Sequence, residues 1–118
     1  MISTRYIFGL PMIDLVVGKI PVEAIVDTGF NGSLCLPIKI IHQLNLKKIG
    51  TFHYILANGE LAKTDTYYLD FEWLGKKKGI DVISSHDEIA LLGMELLENT
   101  RTILEPQKNI LSIEPTKE

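Results

Sequence analysis

The sequence has only one cysteine, Cys35, so the chain cannot form an internal disulfide. Cys35 lies in the apolar run LCLP, which indicates a small buried hydrophobic side chain rather than a nucleophile. The three histidines, His42, His53 and His86, are isolated from one another and from Cys35. They lack the short spacings that preset metal ligands, and we therefore expect no metal site.

Signals for cofactors, membranes and nucleic acids are also lacking. Neither common glycine-rich phosphate-binding signature occurs, so we expect no cofactor. No apolar run approaches the roughly 20 residues that a membrane helix needs, and the first residues lack the pattern of a secretory signal. We expect a cytoplasmic protein without a membrane partner. The net charge is −3, and the basic run Lys76-Lys77-Lys78 lies between two glycines, which predicts a solvated hairpin turn rather than a nucleic-acid surface.

The composition is that of a folded globular protein, with 46% hydrophobic and 23% charged residues. We expect one domain over residues 1–118, with 115–118 as a flexible tail. Short β-like runs dominate and predict an all-β fold, mostly antiparallel, small and barrel-like, with one or two short helices. The predicted strands are 6–8, 12–17, 21–26, 34–36, 79–84, 89–92, 102–104 and 110–113, the helices are 38–46 and 94–98, and a long hairpin over 52–74 turns at Asn58-Gly59.

The tripeptide Asp27-Thr28-Gly29 follows the apolar run AIV and occurs once in the chain. Its position predicts a tight turn in which backbone amides and a hydroxyl can hold a carboxylate. Taken alone, the tripeptide also fits a structural turn, since Asp and Gly are common turn residues. The other acidic residues of the predicted strands alternate with apolar ones, which is typical of the outward face of a half-buried sheet.

The wider context of the tripeptide resembles one protein family. The segment KIPVEAIVDTGFNGSLCLP is followed, after the predicted long hairpin, by ALLGMELL, in which two apolar residues precede a glycine and a short helix. This order is similar to that of the retropepsin-like aspartic proteases, in particular their prokaryotic single-domain branch. Members of the family have a strand-borne Asp-Thr/Ser-Gly, a flap hairpin and a later hydrophobic-hydrophobic-Gly motif.

The resemblance implies a role for each matching residue. Asp27 corresponds to the catalytic carboxylate, Thr28 to the hydroxyl that braces two active-site loops across a dimer axis, and Gly29 to the position closest to substrate. The apolar support beneath that loop corresponds to Leu91, Leu92 and Gly93. The flap corresponds to the hairpin tip, whose candidates for contact with the substrate backbone are Leu56, Ala57, Asn58, Gly59 and Glu60.

The implied function is that of a C2 homodimeric aspartic endopeptidase acting on peptide or protein substrates. Each chain supplies one Asp to a dyad that activates water. The alternative is a non-catalytic module of the same fold that dimerises or binds extended peptides. A third interpretation, Asp27 as a phosphotransferase nucleophile, requires a parallel α/β sheet and acidic Mg²⁺ ligands, and the few short helical patterns do not supply the crossovers.

The sequence departs from the retroviral members at two positions. Phe30 follows the tripeptide where they have a small residue, and Met94 follows the later glycine where they have arginine. The missing arginine removes an ion pair that braces the dimer, and Arg5 and Arg101 are the candidates to replace it. The terminal strands are the candidates for the dimer interface.

Overall fold

The computed structural model describes residues 3–56 and 58–116 of the chain. Strands form most of that part, together with two short helices and one 3₁₀ turn, which confirms the predicted β-rich fold. The strands are β1 (Ser3–Ile7), β2 (Leu10–Val17), β3 (Ile20–Val26), β4 (Leu34–Pro37), β5 (Lys47–Ile55), β6 (Leu61–Trp73), β7 (Lys76–Ser85), β8 (Ala90–Leu92), β9 (Thr100–Glu105) and β10 (Ile110–Pro115). The helices are α1 (Ile38–Gln43) and α2 (Met94–Leu97), and the 3₁₀ turn is Pro106–Lys108.

Eight strands form one mixed sheet in the order β1-β2-β3-β8-β4-β7-β6-β5. Its antiparallel neighbours include the hairpins that the turn residues predict, whereas β3–β8 and β4–β7 are parallel. The β3–β8 register places Val26 beside Leu92, and β4 pairs Leu34 with Leu92 from the other side. The sheet therefore brings the segment before Asp27 and the segment before Gly93 together at its centre.

Strands β9 and β10 form a second, two-stranded sheet. Side chains of β1 join it to the large sheet, because Thr4 Oγ1 donates to Leu111 O at 2.7 Å and Tyr6 Oη donates to Ile110 O at 2.8 Å. Thr116 N donates to Asn99 O at 2.9 Å, and Pro115 belongs to β10. The expected tail at 115–118 is thus bonded at its first two residues, and residues 117–118 lie outside the described part.

The core forms from alternate residues of the strands and from the buried sides of both helices. Burial of each large aliphatic side chain stabilises the fold by about 1.5–3 kcal/mol. Trp73 is buried with them, and its Nε1 donates to Leu96 O at 2.8 Å, which fixes helix α2 against the sheet. The largest fully buried side chains are Ile13, Leu34, Leu36, Ile41, Leu92, Leu96, Val17 and Val82.

Several local predictions differ from the structure. Helix α1 ends at Gln43 rather than at residue 46, since Asn45 has a left-handed backbone (φ 54°). The basic run Lys76-Lys77-Lys78 lies in strand β7, and the turn before it is Leu74-Gly75, where both φ values are positive. The three lysines pair with the end of β6, so they are exposed strand residues rather than the predicted turn.

The loop of the β5–β6 hairpin is also wider than the predicted two-residue turn. Leu56 N donates to Glu60 O at 2.8 Å and Gly59 N donates to Leu56 O at 2.9 Å, so the hairpin closes outside the dipeptide Asn58-Gly59. Gly59 has φ +88°, a conformation that favours glycine. Within residues 3–56 and 58–116, no helix has both the length and the apolar character needed to cross a bilayer.

Candidate active site

Asp27 lies directly after strand β3 at the centre of the large sheet. Its backbone N donates to Leu92 O at 2.9 Å, which continues the parallel β3–β8 pairing by one residue. The apolar run before Asp27 forms this strand because Val22, Ala24 and Val26 point into the core. Asp27 itself is half-buried, so its carboxylate lies where the buried strand meets the surface.

A tight turn holds one oxygen of the Asp27 carboxylate. Gly29 N donates to Asp27 Oδ1 at 2.9 Å, and Phe30 N donates to Asp27 O at 3.2 Å. A Cβ atom at Gly29 would lie 3.2 Å from Asp27 Oδ1, so a larger residue would crowd the carboxylate. Thr28 and Gly29 are exposed beside it. The turn therefore orients Asp27 and leaves the neighbouring surface open.

We call residues 27–33 the Asp27 loop. Gly93 and the first residues of helix α2 anchor this loop through four hydrogen bonds. Backbone N–H groups of Gly93, Met94 and Glu95 donate to the carbonyls of Ser33, Phe30 and Gly32 at 2.8, 2.8 and 3.1 Å. The Ser33 hydroxyl, which is 2% exposed, also hydrogen bonds to the Glu95 carboxylate. The loop carbonyls thus satisfy the N–H groups that the first turn of a helix leaves unpaired.

Gly93 allows the loop and the helix to approach so closely. A Cβ atom there would lie 2.2 Å from Gly32 O and 2.5 Å from Phe30 Cδ2. The backbone of Gly93 is extended (φ −103°), so the requirement for glycine is steric. The Phe30 ring also lies against Gly32, where a Cβ atom would be 2.6 Å from Phe30 Cζ. The bulky Phe30 therefore packs against two glycines at the base of the loop.

The β5–β6 hairpin carries the predicted flap residues at its tip. Asn58 Nδ2 donates to Glu60 Oε1 at 2.7 Å, and Glu60 N donates to Asn58 Oδ1 at 3.0 Å, which stiffens the loop. Leu56, Asn58, Gly59 and Glu60 are exposed, while Ala57 lies outside the described residues. Among the residues described, the structure brings Asp27–Gly29 together with Leu91–Gly93 and shows no hydrogen bond from the hairpin tip to either segment.

The two arginines that could replace the missing ion pair have different surroundings. Arg5 hydrogen bonds to the carboxylates of Asp14 and Glu23 across strands β1, β2 and β3 of its own chain. The Arg5 guanidinium lowers the pKa of Asp14 below its ordinary value. Arg101 is exposed on β9. Arg5 is therefore already paired within the chain.

Other parts of the molecule offer less to a catalytic function. In residues 3–56 and 58–116, no group of three His, Cys, Asp or Glu side chains is close enough to hold a metal ion. A cavity of about 890 Å³ lies between β2, β6 and β10, lined by residues such as Leu15, Phe71 and Leu111 and by none of the Asp27 loop. Sequence reasoning missed Ser33 and Glu95, since their contact joins residues far apart in the chain.

The solved structures similar to this one include two proteases and a protease-reverse transcriptase. A retropepsin-like aspartic protease from Rickettsia conorii superposes with a TM-score of 0.65 at 27% identity, over 98% of this chain and 89% of that chain. The protease of Simian foamy virus (mac) gives a TM-score of 0.55 at 22% identity, over 73% of this chain and 90% of that one. A foamy viral protease-reverse transcriptase bound to double-stranded DNA gives 0.59 at 22% identity, over 80% of this chain and 16% of that longer one.

No protein-family model and no curated protein sequence matches the chain. The structural comparisons agree with the resemblance found in the sequence, and the fold is retropepsin-like. Such a fold supports the function of an aspartic protease in general.

Proposed function

From its resemblance to the retropepsin-like aspartic proteases, we infer that this chain is a homodimeric aspartic endopeptidase. One observation carries the proposal. The only Asp-Thr-Gly of the chain ends a buried central strand, where Gly29 N holds Asp27 Oδ1 and Leu92 O holds Asp27 N. Asp27 is thereby oriented at the surface of the sheet, as a catalytic carboxylate requires.

Peptide hydrolysis by this class uses two carboxylates, one to accept a proton from water and one to donate a proton to the scissile carbonyl. Two adjacent carboxylates share a proton because both cannot remain ionised, as is general for aspartic proteases. Because the sequence contains one Asp-Thr-Gly, the second carboxylate comes from a second copy of the chain. Two-fold symmetry is the simplest arrangement, and it places the active site on the axis.

The residues around Asp27 have supporting roles in this proposal. Thr28 is exposed beside Asp27 and braces the two loops across the axis, while Gly29 leaves room for the substrate backbone. Leu91, Leu92 and Gly93 support the loop from below. An extended peptide binds beneath the hairpin tip, residues 56–60, with strand-like hydrogen bonds to its backbone. We expect the enzyme to act in the cytoplasm.

The variant Asp27→Asn tests the proposal. Asparagine keeps an Oδ1 acceptor for Gly29 N, so the variant should fold and dimerise, whereas loss of the acid–base group should lower cleavage by about 10²- to 10⁴-fold. The assay is cleavage of a diverse peptide library between about pH 4 and 7, with a statine-type inhibitor and with Asp81→Asn, an exposed carboxylate on β7, as controls.

Sedimentation at two protein concentrations measures the dimer in parallel. Cleavage by Asp27→Asn at the wild-type rate, or full activity of a strict monomer, would contradict the proposed mechanism. Inhibitor or peptide binding without cleavage by the wild-type protein would instead favour the non-catalytic peptide-binding module.

A further inference from the structure

Phe8 has a backbone conformation and a solvent exposure that are unfavourable for an aromatic residue in a single chain. It forms the turn between β1 and β2 together with Gly9, and both residues have positive φ values, 52° and 78°. This conformation is unusual for a bulky aromatic residue, for which Asn is the common choice before glycine in such a two-residue turn. The Phe8 side chain is also fully exposed, at a relative exposure of 101%. Neither the turn nor the core of a single chain requires an aromatic residue there.

The β1–β2 turn lies at the same end of the sheet as the Asp27 loop. Strands β2 and β3 pair Met12 with Ile25, and the same register continued by two residues brings Leu10 alongside Asp27. Neighbouring strands are about 4.8 Å apart, so the start of β2 and the turn before it lie at the Asp27 end of the sheet. Leu10 is 46% exposed at this position. Leu10 thus lies on the β2 side of Asp27, and Phe8 lies in the turn immediately before Leu10.

Met94 borders the loop on the opposite side. Asp27 N bonds to Leu92 O, and Met94 N bonds to Phe30 O, so Met94 follows directly on the strand that pairs with β3. Its side chain is 43% exposed. We define Phe8, Leu10 and Met94 as the apolar patch. The half-buried Asp27 and the exposed Thr28 lie between its two sides.

We propose that the apolar patch is a contact surface for the second copy of the chain around the Asp27 pair. This proposal rests on the proposed function, because a shared dyad requires the two Asp27 loops to face each other closely across the axis. Whatever flanks the loop then approaches the partner, and a C2 axis brings the same patch from both copies together. Apolar contact at this surface thereby takes the place of an ion pair from Arg5, which is paired with Asp14 and Glu23 of its own chain.

The surface area that the apolar patch can bury is suitable for the centre of a dimer interface. A large aromatic residue buries about 150–250 Å², and aromatic and Met residues are enriched at interface centres. A stable interface buries about 800 Å² per partner, so the remaining area comes from other segments. Apolar contact also makes the dimer insensitive to salt, because salt screens charge pairs and does not weaken burial.

The first test compares Phe8→Asp with Val16→Asp. Both place a charge on an exposed apolar position at or beside β2, but Val16, which is 64% exposed, lies six residues along β2 from Leu10. Asp adopts positive φ readily, so the Phe8 variant should fold. Sedimentation equilibrium should show at least about tenfold weaker dimerisation for Phe8→Asp, with a matching loss of peptide cleavage at low protein concentration. Val16→Asp should leave both unchanged.

A second variant, Phe8→Asn, separates contact from folding. Asn-Gly suits a turn with two positive φ values, so the monomer should become more stable, measured at a concentration below the dissociation constant. Dimerisation should nevertheless weaken. Wild-type dimer affinity in both Phe8 variants would overturn the patch proposal and leave the endopeptidase proposal intact. A wild-type dimer that cleaves no peptide would instead contradict the endopeptidase proposal. The sedimentation results for the Phe8 variants would still test the apolar patch as a dimer contact.

Discussion

The hydroxyl of Ser33 hydrogen bonds to the carboxylate of Glu95 and ties the end of the Asp27 loop to helix α2. Ser33 is buried at 2% exposure, and Gly93 N donates to its backbone carbonyl at 2.8 Å. Both the side chain and the main chain of Ser33 therefore hold the helix. The position of the Asp27 loop depends on a contact with a residue outside the recognisable motif.

Replacement of Ser33 by alanine should show how much this contact stabilises the protein. We expect the free energy of unfolding to fall by about 1–2 kcal/mol, since a buried hydrogen bond is lost. Glu95→Gln keeps an oxygen acceptor for the hydroxyl and should cost less. Urea unfolding of the three proteins measures the effect, and equal losses from both variants would contradict a specific Ser33–Glu95 bond.

Gly93→Ala should disturb the Asp27 loop through steric contact. The new methyl group would lie 2.2 Å from Gly32 O, a backbone atom that cannot rotate away, so we expect a loss of about 1–3 kcal/mol. Gly75→Ala, in the turn between β6 and β7, is the matched control, because no atom lies within 4 Å of its Cβ position and its penalty comes from φ alone. Thermal unfolding and peptide cleavage are measured for both variants. Gly93→Ala should lose more cleavage activity than the control.

The buried thiol of Cys35 should make the protein less stable at alkaline pH. Burial raises the pKa of the Cys35 thiol to about 11 from its ordinary value of 9.0. The unfolded chain therefore loses this proton first, and the stabilisation that is present below about pH 9 is lost as pH rises through the folded value. Unfolding of wild-type and Cys35→Ala proteins between pH 8 and about 10 measures the difference, which should shrink as pH rises. A constant difference would contradict the prediction.

Trp73→Phe should loosen the packing of helix α2 on the sheet. The variant removes the bond from Trp73 Nε1 to Leu96 O and leaves that carbonyl without its donor, which costs about 1–3 kcal/mol. Because Trp73 is the only tryptophan, the loss is measured by circular dichroism rather than fluorescence. Unchanged unfolding of the variant would show that the indole bond contributes nothing.

The sequence predicts local features well where one short segment determines them. Strands β2 and β3 follow from the predicted runs at 12–17 and 21–26, and most of their residues alternate between buried and exposed. Asp27-Thr28-Gly29 and Leu91-Leu92-Gly93 are recognisable because each is contiguous. The two glycines that flank the lysine run predict a turn there, whereas Lys76 to Lys78 are exposed within a paired strand.

Features that depend on distant contacts could not be predicted in this way. No local pattern distinguishes Ser33 or Glu95, and their relation exists only once β3, β8 and α2 have packed together. Similarly, nothing in the sequence around Phe8 shows that its turn has positive φ values or lies beside Asp27. The dipeptide Asn58-Gly59 predicts a hairpin correctly, but the loop length depends on the pairing of Leu56 with Glu60.

The parallel pairing of β3 with β8 also determines when the site can form during synthesis. Residues 24–26 can pair with residues 90–92 only after the latter have been synthesised. The loop is complete only when Glu95 has also been synthesised and hydrogen bonds to Ser33. Pairings between such distant segments form late, since the cost of closing a long loop precedes their contacts. A chain still being translated therefore carries an unassembled Asp27 loop until residues 90–95 have left the ribosome, and the proposed peptidase activity is delayed until then.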